Sequence, residues 1–180
     1  MPTNRVARYR TFATRFRSAS QDDLRYRLTR IPMAEIERAE AELGARLPAS
    51  YKIFATEVGV GSFQLLGDAW LSGQDRECPI PLEHVWDPRA IVRQCGEPWL
   101  APIPAELAGG SAVASDVAWK YLLPFGRDGN SDYWHCFLRQ SDEADDLPVY
   151  VFDSDGGDIE EVSRGLDGLI DRFLGLPTKL

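Results

Sequence analysis

Apolar residues recur at helical spacing in the first third of the chain. Aromatic residues three and four positions apart predict a short amphipathic helix over roughly 7–18. Two further helices are predicted from Pro32 to Gly44 and from Pro48 to Gly59, because proline suits the first helical turn and glycine ends a helix. The short link between these two helices predicts a helical hairpin.

The later part of the chain changes to short apolar runs separated by turn residues, which is typical of strands. Strands are predicted near 63–71, and over 121–125, 133–138, 147–152 and 159–162, and a last helix spans 166–174. Because the connections over 120–162 are short, these strands must pair antiparallel. The order predicts an α+β fold: a single mixed, largely antiparallel sheet, with the N-terminal helical hairpin and the C-terminal helix packed against it.

The predicted hairpin at 120–139 has the strongest turn signal in the chain, Gly126-Arg-Asp-Gly-Asn-Ser-Asp132. Its polar groups could form a ligand or metal loop, or only a well-made turn. Asp128-x-Asn130-x-Asp132 has the opening spacing of a calcium-binding EF-hand loop. However, that loop requires glycine where Tyr133 stands and glutamate where Arg139 stands, so calcium binding of this kind is not expected.

Other catalytic and metal-binding patterns are also missing from the sequence. A zinc site needs clustered cysteine and histidine, but His84 and His135 are far apart and there is no Cys-x-x-Cys pair. The neighbours His135 and Cys136 should point to opposite faces of a strand, one exposed and the other buried. No nucleophile elbow or phosphate-binding glycine motif occurs. We therefore expect no catalytic residue, no cofactor and no metal.

Cysteine content and hydropathy predict where the protein resides. The three cysteines form no close pair, which argues against a disulfide framework and favours a reducing, cytoplasmic compartment. No apolar run is long enough to cross a membrane, and the arginine-rich N-terminus lacks the apolar core of a secretory signal.

Charge is distributed unevenly along the chain. Residues 1–30 contain eight arginines and two aspartates, a net charge of +6, while the whole chain carries −8, so residues 31–180 carry −14. An acidic body repels nucleic acid and attracts basic partners. The basic arm alone could contact nucleic acid, but we expect its helix to present a solvated face and to lie against this body.

A protein-binding surface is the hypothesis that these observations favour. Five tryptophans are present, and Trp134, beside an acidic turn, is the first candidate for an interface anchor, although burial in the core is the ordinary role of any one of them. The candidate partner-binding residues lie in and beside two acidic turns. They are Asp128, Asn130, Asp132, Trp134, Asp153, Asp155 and Asp158.

Several segments together resemble the SMI1/KNR4 (SUKH) superfamily. The stretch from Glu35 to Tyr51, with Leu43-Gly44 and Leu47-Pro48, is similar to its opening motif. Leu123-Pro-Phe-Gly-x-Asp-Gly and Pro148-Val-Tyr-Val-Phe-Asp153 are similar to its later hairpin and strand. The resemblance covers about 31–175, so we predict an arginine-rich arm at 1–30 and an SMI1/KNR4-like domain at 31–176.

The resemblance implies a mixed sheet flanked by helices and a role without catalysis. Many bacterial members resemble immunity proteins that bind and neutralise a cognate toxin, often a nuclease, whereas eukaryotic members are regulatory scaffolds. The first hypothesis is therefore an immunity protein with a toxin or other basic protein as its partner. The alternative is a regulatory or scaffold module not linked to a toxin. An enzyme is a third hypothesis that no catalytic pattern supports, and the oligomeric state stays open.

Overall fold

The structure is a computed structural model that describes residues 5–19, 28–62, 82–96, 122–128, 133–138, 147–153, 159–163 and 165–174. The strands predicted near 63–71 lie outside the described residues.

Five α-helices lie in the described residues: α1 (Arg5–Ala19), α2 (Met33–Leu43), α3 (Ala49–Ile53), α4 (Pro88–Gly96) and α5 (Leu166–Leu174). Helix α3 continues into a π-helical turn at Phe54–Val58, a change of pitch that the apolar spacing did not predict. Gly44 ends α2 with a positive φ of 60°, a backbone conformation that favours glycine. The helices predicted from the sequence are confirmed.

Six strands of the described residues form one sheet. They are β1 (Gly61–Ser62), β2 (His84–Val85), β3 (Leu122–Arg127), β4 (Tyr133–Leu138), β5 (Val149–Asp153) and β6 (Ile159–Ser163). Their spatial order is their order along the chain, and every neighbouring pair is antiparallel. The α+β prediction is confirmed, and the described strands contain no parallel pair.

The contact between β2 and β3 requires a glycine. A Cβ atom added at Gly126 would lie 2.3 Å from the backbone oxygen of His84, closer than any side chain can come. The register between β3 and β4 also shifts between Pro124 and Gly126. The shift places Phe125 over Phe137, with the ring centroids 4.0 Å apart in a stacked arrangement.

The core lies between the helices and the sheet. Aromatic and aliphatic side chains of α1, α2, α3, the π-helical turn, α4 and α5 join those of the central strands in one buried cluster. Tyr51 is completely buried, and its hydroxyl donates a hydrogen bond of 2.6 Å to the backbone oxygen of Trp86. This bond ties α3 to the segment between β2 and α4.

The expectation that one of His135 and Cys136 is exposed is wrong, because both are fully buried. They lie on β4, which is paired on both sides by β3 and β5. The His135 ring packs edge-on against Phe125, with centroids 6.3 Å apart, while Cys136 lies opposite Pro124 and Tyr150. A period-two pattern predicts opposite faces, but it does not predict that both faces are covered.

A buried carboxylate holds the connection between α2 and α3. Glu40 is 4% exposed, and its Oε1 accepts a 2.8 Å hydrogen bond from the backbone N–H of Leu47. Lys52 Nζ lies 2.8 Å from the same oxygen, and Arg46 Nη1 lies 2.9 Å from Oε2. Burial alone would raise the pKa of Glu40, but the hydrogen bonds from Lys52, Leu47 and Arg46 outweigh it and lower the pKa.

Replacing this carboxylate should strongly destabilise the protein. We expect Glu40→Gln to lower the free energy of unfolding by about 3 kcal/mol, because it removes the buried negative charge that pairs with the mostly buried Lys52 ammonium. Urea denaturation of the two proteins measures the difference. Glu37→Gln, on the exposed face of the same helix, is the matched control and should change stability by less than about 0.5 kcal/mol.

The same carboxylate should make stability depend on pH. Because folding lowers the pKa of Glu40, its stabilisation is complete above the unfolded-state pKa of about 4.3 and is lost as the pH falls through the lower folded value. We therefore expect the stability gap between wild type and Glu40→Gln to be constant near neutral pH and to narrow below about pH 4. Denaturation across pH 3–7 tests this, and a gap that widens on acidification would contradict it.

Candidate functional site

The acidic turn between β3 and β4 is closed by Asp128. The Asp128 backbone N–H donates to the Tyr133 oxygen at 3.0 Å, and its carboxylate Oδ1 accepts from the Tyr133 N–H at 3.2 Å. Asp128 is only 5% exposed. Its carboxylate therefore holds the two strands together, and its role in partner binding stays a prediction. Asn130 and Asp132 lie outside the described residues.

The meander brings two of the predicted acidic turns to one end of the sheet. In an up-and-down sheet alternate connections share an end, so the β3–β4 and β5–β6 turns leave the sheet on the same side. Asp153, half-buried at the end of β5, lies opposite Tyr133 at the start of β4. Asp155 and Asp158 lie outside the described residues. The described positions Asp128, Trp134 and Asp153 thus gather at this end.

Trp134 is half-buried and packs against a second tryptophan. Its ring meets that of Trp86 edge-on, with centroids 5.5 Å apart and an interplanar angle of 84°. Its cross-strand neighbours are Arg127 on β3 and Phe152 on β5. The sequence pointed to Trp134 but not to Trp86, because a tryptophan between a two-residue strand and a helix start has no local pattern that distinguishes it from a core residue.

A groove of about 570 Å³ opens beside this tryptophan pair. Its walls come from residues 29–31, the start of α2, strands β1 and β2, and the start of α4. Charged and aromatic side chains line it, including Glu35, His84, Trp86, Arg89 and Arg127. The residues that line the groove come from four separate segments of the chain, at 29–35, 60–62, 84–90 and Arg127, so only the folded structure brings them together.

The electrostatics of the groove are mixed. Burial and the neighbouring Arg127 lower the pKa of His84, partly opposed by Asp128, so the imidazole is neutral at pH 7. Arg89 Nε lies 3.8 Å from Glu35 Oε2 at the opposite wall. Asp87 Oδ1 accepts a 2.8 Å hydrogen bond from the Ala90 N–H and so caps α4. With both signs of charge present, the groove suits polar contacts to another protein.

The described residues place no three His, Cys, Asp or Glu side chains together where they could hold a metal ion. Within the same residues, no helix has the length and apolar character that crossing a membrane requires. The two described cysteines, Cys95 and Cys136, form no disulfide bond within the described residues, and burial raises the pKa of the Cys136 thiol well above its usual value. Cys78 lies outside the described residues.

Comparison with known proteins supports the resemblance found in the sequence. The family model for the SMI1 / KNR4 family (SUKH-1) matches residues 31–172, which include every described strand, helices α2 to α4, and α5 except its last two residues. Comparison with curated proteins and with solved structures gave no match. Domains of this family generally act in protein–protein interactions and without catalysis. The chain belongs to the SMI1/KNR4 family (SUKH-1).

Proposed function

We propose that the protein is an immunity-type binding protein that neutralises a cognate bacterial toxin, of nuclease type or otherwise basic, without catalysing a reaction. The observation that carries the proposal is the net charge of −14 on residues 31–180, nearly all of which belong to the matched family domain. Such a charge accelerates the encounter with a basic protein and imitates the polyanion that a nuclease binds.

The contact surface proposed for the toxin is the end of the sheet that carries the two acidic turns. Tryptophans act as anchors in interfaces because they bury a large area at small cost in conformational entropy. Trp134 and Trp86 together offer such an anchor, and each keeps part of its side chain accessible. The acidic residues proposed around it are Asp128, Asn130, Asp132, Asp153, Asp155 and Asp158.

A cytoplasmic location fits this proposal. An immunity protein has to neutralise the toxin inside the cell, either in the cell that produces the toxin and this protein or in a neighbouring cell that receives the toxin. Cys95 and Cys136 form no disulfide bond within the described residues, which fits a reducing compartment, and complete burial shields Cys136 from oxidants.

Co-expression tests the proposed function directly. If the product of the adjacent reading frame is toxic to a bacterial host, we expect this protein to restore growth and to co-purify with that product in a stoichiometric complex. Glu37→Gln, a surface substitution expected to leave stability almost unchanged, should restore growth as well as the wild-type protein does. A toxic neighbour that this protein neither binds nor neutralises would refute the immunity role.

Charge reversal tests the proposed contact surface. We expect Asp132→Lys combined with Asp155→Lys to slow association with the toxin about tenfold at low salt and to weaken its salt dependence, because steering acts through these charges. Stopped-flow or surface plasmon resonance measures the rate. Asp128 is omitted, since its carboxylate closes the hairpin.

The matched control for that experiment is Glu37→Lys combined with Glu42→Lys. Both side chains are exposed on α2, and the variant changes the net charge by the same amount on a different surface. A specific role of the acidic turns requires the first variant to slow association more than the second. Equal effects would mean that only the overall charge matters and that the toxin contacts another surface.

A further inference from the structure

Helix α1 covers a surface that belongs to the family domain, although α1 itself precedes the matched region. The family match begins at residue 31, whereas α1 spans Arg5–Ala19. Helix α1 contacts α3, the π-helical turn and α5, which lie inside the match except for the last two residues of α5. The shared domain therefore presents a surface that this chain fills with a helix of its own.

The apolar part of this contact centres on Phe54 in the π-helical turn. Tyr9 and Phe12 of α1 are 0% and 3% exposed, and each ring lies with its centroid 5.9 Å from that of Phe54. Ala13 is also buried, one position after Phe12. A narrow aromatic stripe thus carries the apolar contact of the helix.

The polar part of the contact joins arginines of α1 to acids of the domain. Arg5 Nε lies 2.7 Å from Asp167 Oδ2, and Arg8 pairs with Asp171. The two arginines are one helical turn apart on α1, and the two aspartates are one turn apart on α5. The spacing of the basic side chains therefore matches that of the acidic ones.

On the other side of the aromatic stripe, Arg10 Nε lies 2.8 Å from Glu57 Oε2. The hydrogen bond from Arg10 lowers the pKa of Glu57, which keeps this carboxylate charged. Acidic groups therefore flank Phe54 on both sides, and basic groups flank Tyr9 and Phe12 in the same way.

We propose that Phe54, Glu57, Asp167 and Asp171 form a binding site for a basic amphipathic helix, here called the helix-docking surface. In the free protein α1 fills this surface, and in the complex a basic helix of the partner displaces α1 and takes its place. The inference rests on the proposed function for the identity of that partner. The site itself is argued from the contacts of α1, which show the charge and shape of the occupant.

Displacement of α1 exposes the buried side chains of Tyr9, Phe12 and Ala13, so the partner's helix has to replace these apolar contacts with its own. An isolated helix of fifteen residues is marginal in water, so its order depends on docking. The ion pairs that α1 makes with Asp167, Asp171 and Glu57 among the described residues keep part of their side chains in solvent and are weakened by salt. As long as α1 is docked, its high effective concentration excludes a competing helix of similar affinity.

The probe for this site is a fluorescent synthetic peptide with the sequence of residues 5–19. Mixed with the full-length wild-type protein, it should bind weakly, because α1 competes within the chain. In full-length Arg5→Glu/Arg8→Glu, the altered α1 is repelled by Asp167 and Asp171, and we expect the peptide to bind at least tenfold more tightly, measured by fluorescence anisotropy. Equal binding to the two proteins would overturn the proposal.

Two further variants make the test specific. Adding Asp167→Arg/Asp171→Arg to the double variant restores opposite charges within the chain and should abolish the gain in peptide binding. Arg38→Glu/Arg93→Glu changes the net charge equally at exposed positions of α2 and α4, and it should bind the peptide no better than wild type. Tight peptide binding by this control would mean general attraction to acidic protein and would overturn the site.

Hydrogen exchange on the wild-type chain provides a second measurement that needs no variant to fold. The amides of α1 should exchange faster than those of α2, and 0.5 M salt should accelerate them further, because opening of α1 breaks its ion pairs. Exchange of α1 only at the rate of global unfolding would overturn displacement. If both tests succeed but the protein does not restore growth in the co-expression experiment, the helix-docking surface stands and only the proposed immunity role is refuted.

Discussion

The buried carboxylate of Glu40 is the interaction on which the N-terminal half of the domain depends. A charge inside a protein is tolerated only where hydrogen bonds and opposite charges replace water, and Glu40 receives both from Leu47, Arg46 and Lys52. Leu47 and Arg46 lie on the connection after α2, and Lys52 lies in α3. Satisfying one carboxylate therefore fixes the angle between α2 and α3.

That angle has consequences beyond the helical hairpin. It places Tyr51 so that its hydroxyl reaches the backbone of Trp86, and Trp86 in turn supports the ring of Trp134 on β4. It also directs the π-helical turn, with Phe54, toward α1. The two surfaces proposed for partner binding are thus connected through one continuous helical segment, with Tyr51 in α3 supporting the first and Phe54 in the following π-helical turn supporting the second.

Much of this fold could be predicted because local sequence patterns identify most of its helices and strands. Helical spacing, prolines and glycines marked the helices, and short connections required antiparallel strands, as the six-stranded sheet confirms. The features that escaped prediction depend on contacts between distant segments. In the sequence, Glu40 looks like the other glutamates on the exposed face of α2, and nothing distinguishes Trp86 from the other tryptophans. Their burial and their contacts are visible only in the folded structure. The covered faces of His135 and Cys136 have the same origin, since alternation along a strand does not say what packs on either side.

The linear strand order has a consequence for how such a protein can change. Because each strand pairs with its neighbours in sequence, any connection can lengthen without rethreading the sheet. The entropic penalty grows slowly, by about 0.6 kcal/mol for each doubling of a flexible loop. Insertions and substitutions in the turns would therefore leave the strand register intact while reshaping the rim of the sheet. A scaffold of this kind allows recognition to diversify at its edges while its interior stays under the constraints of packing.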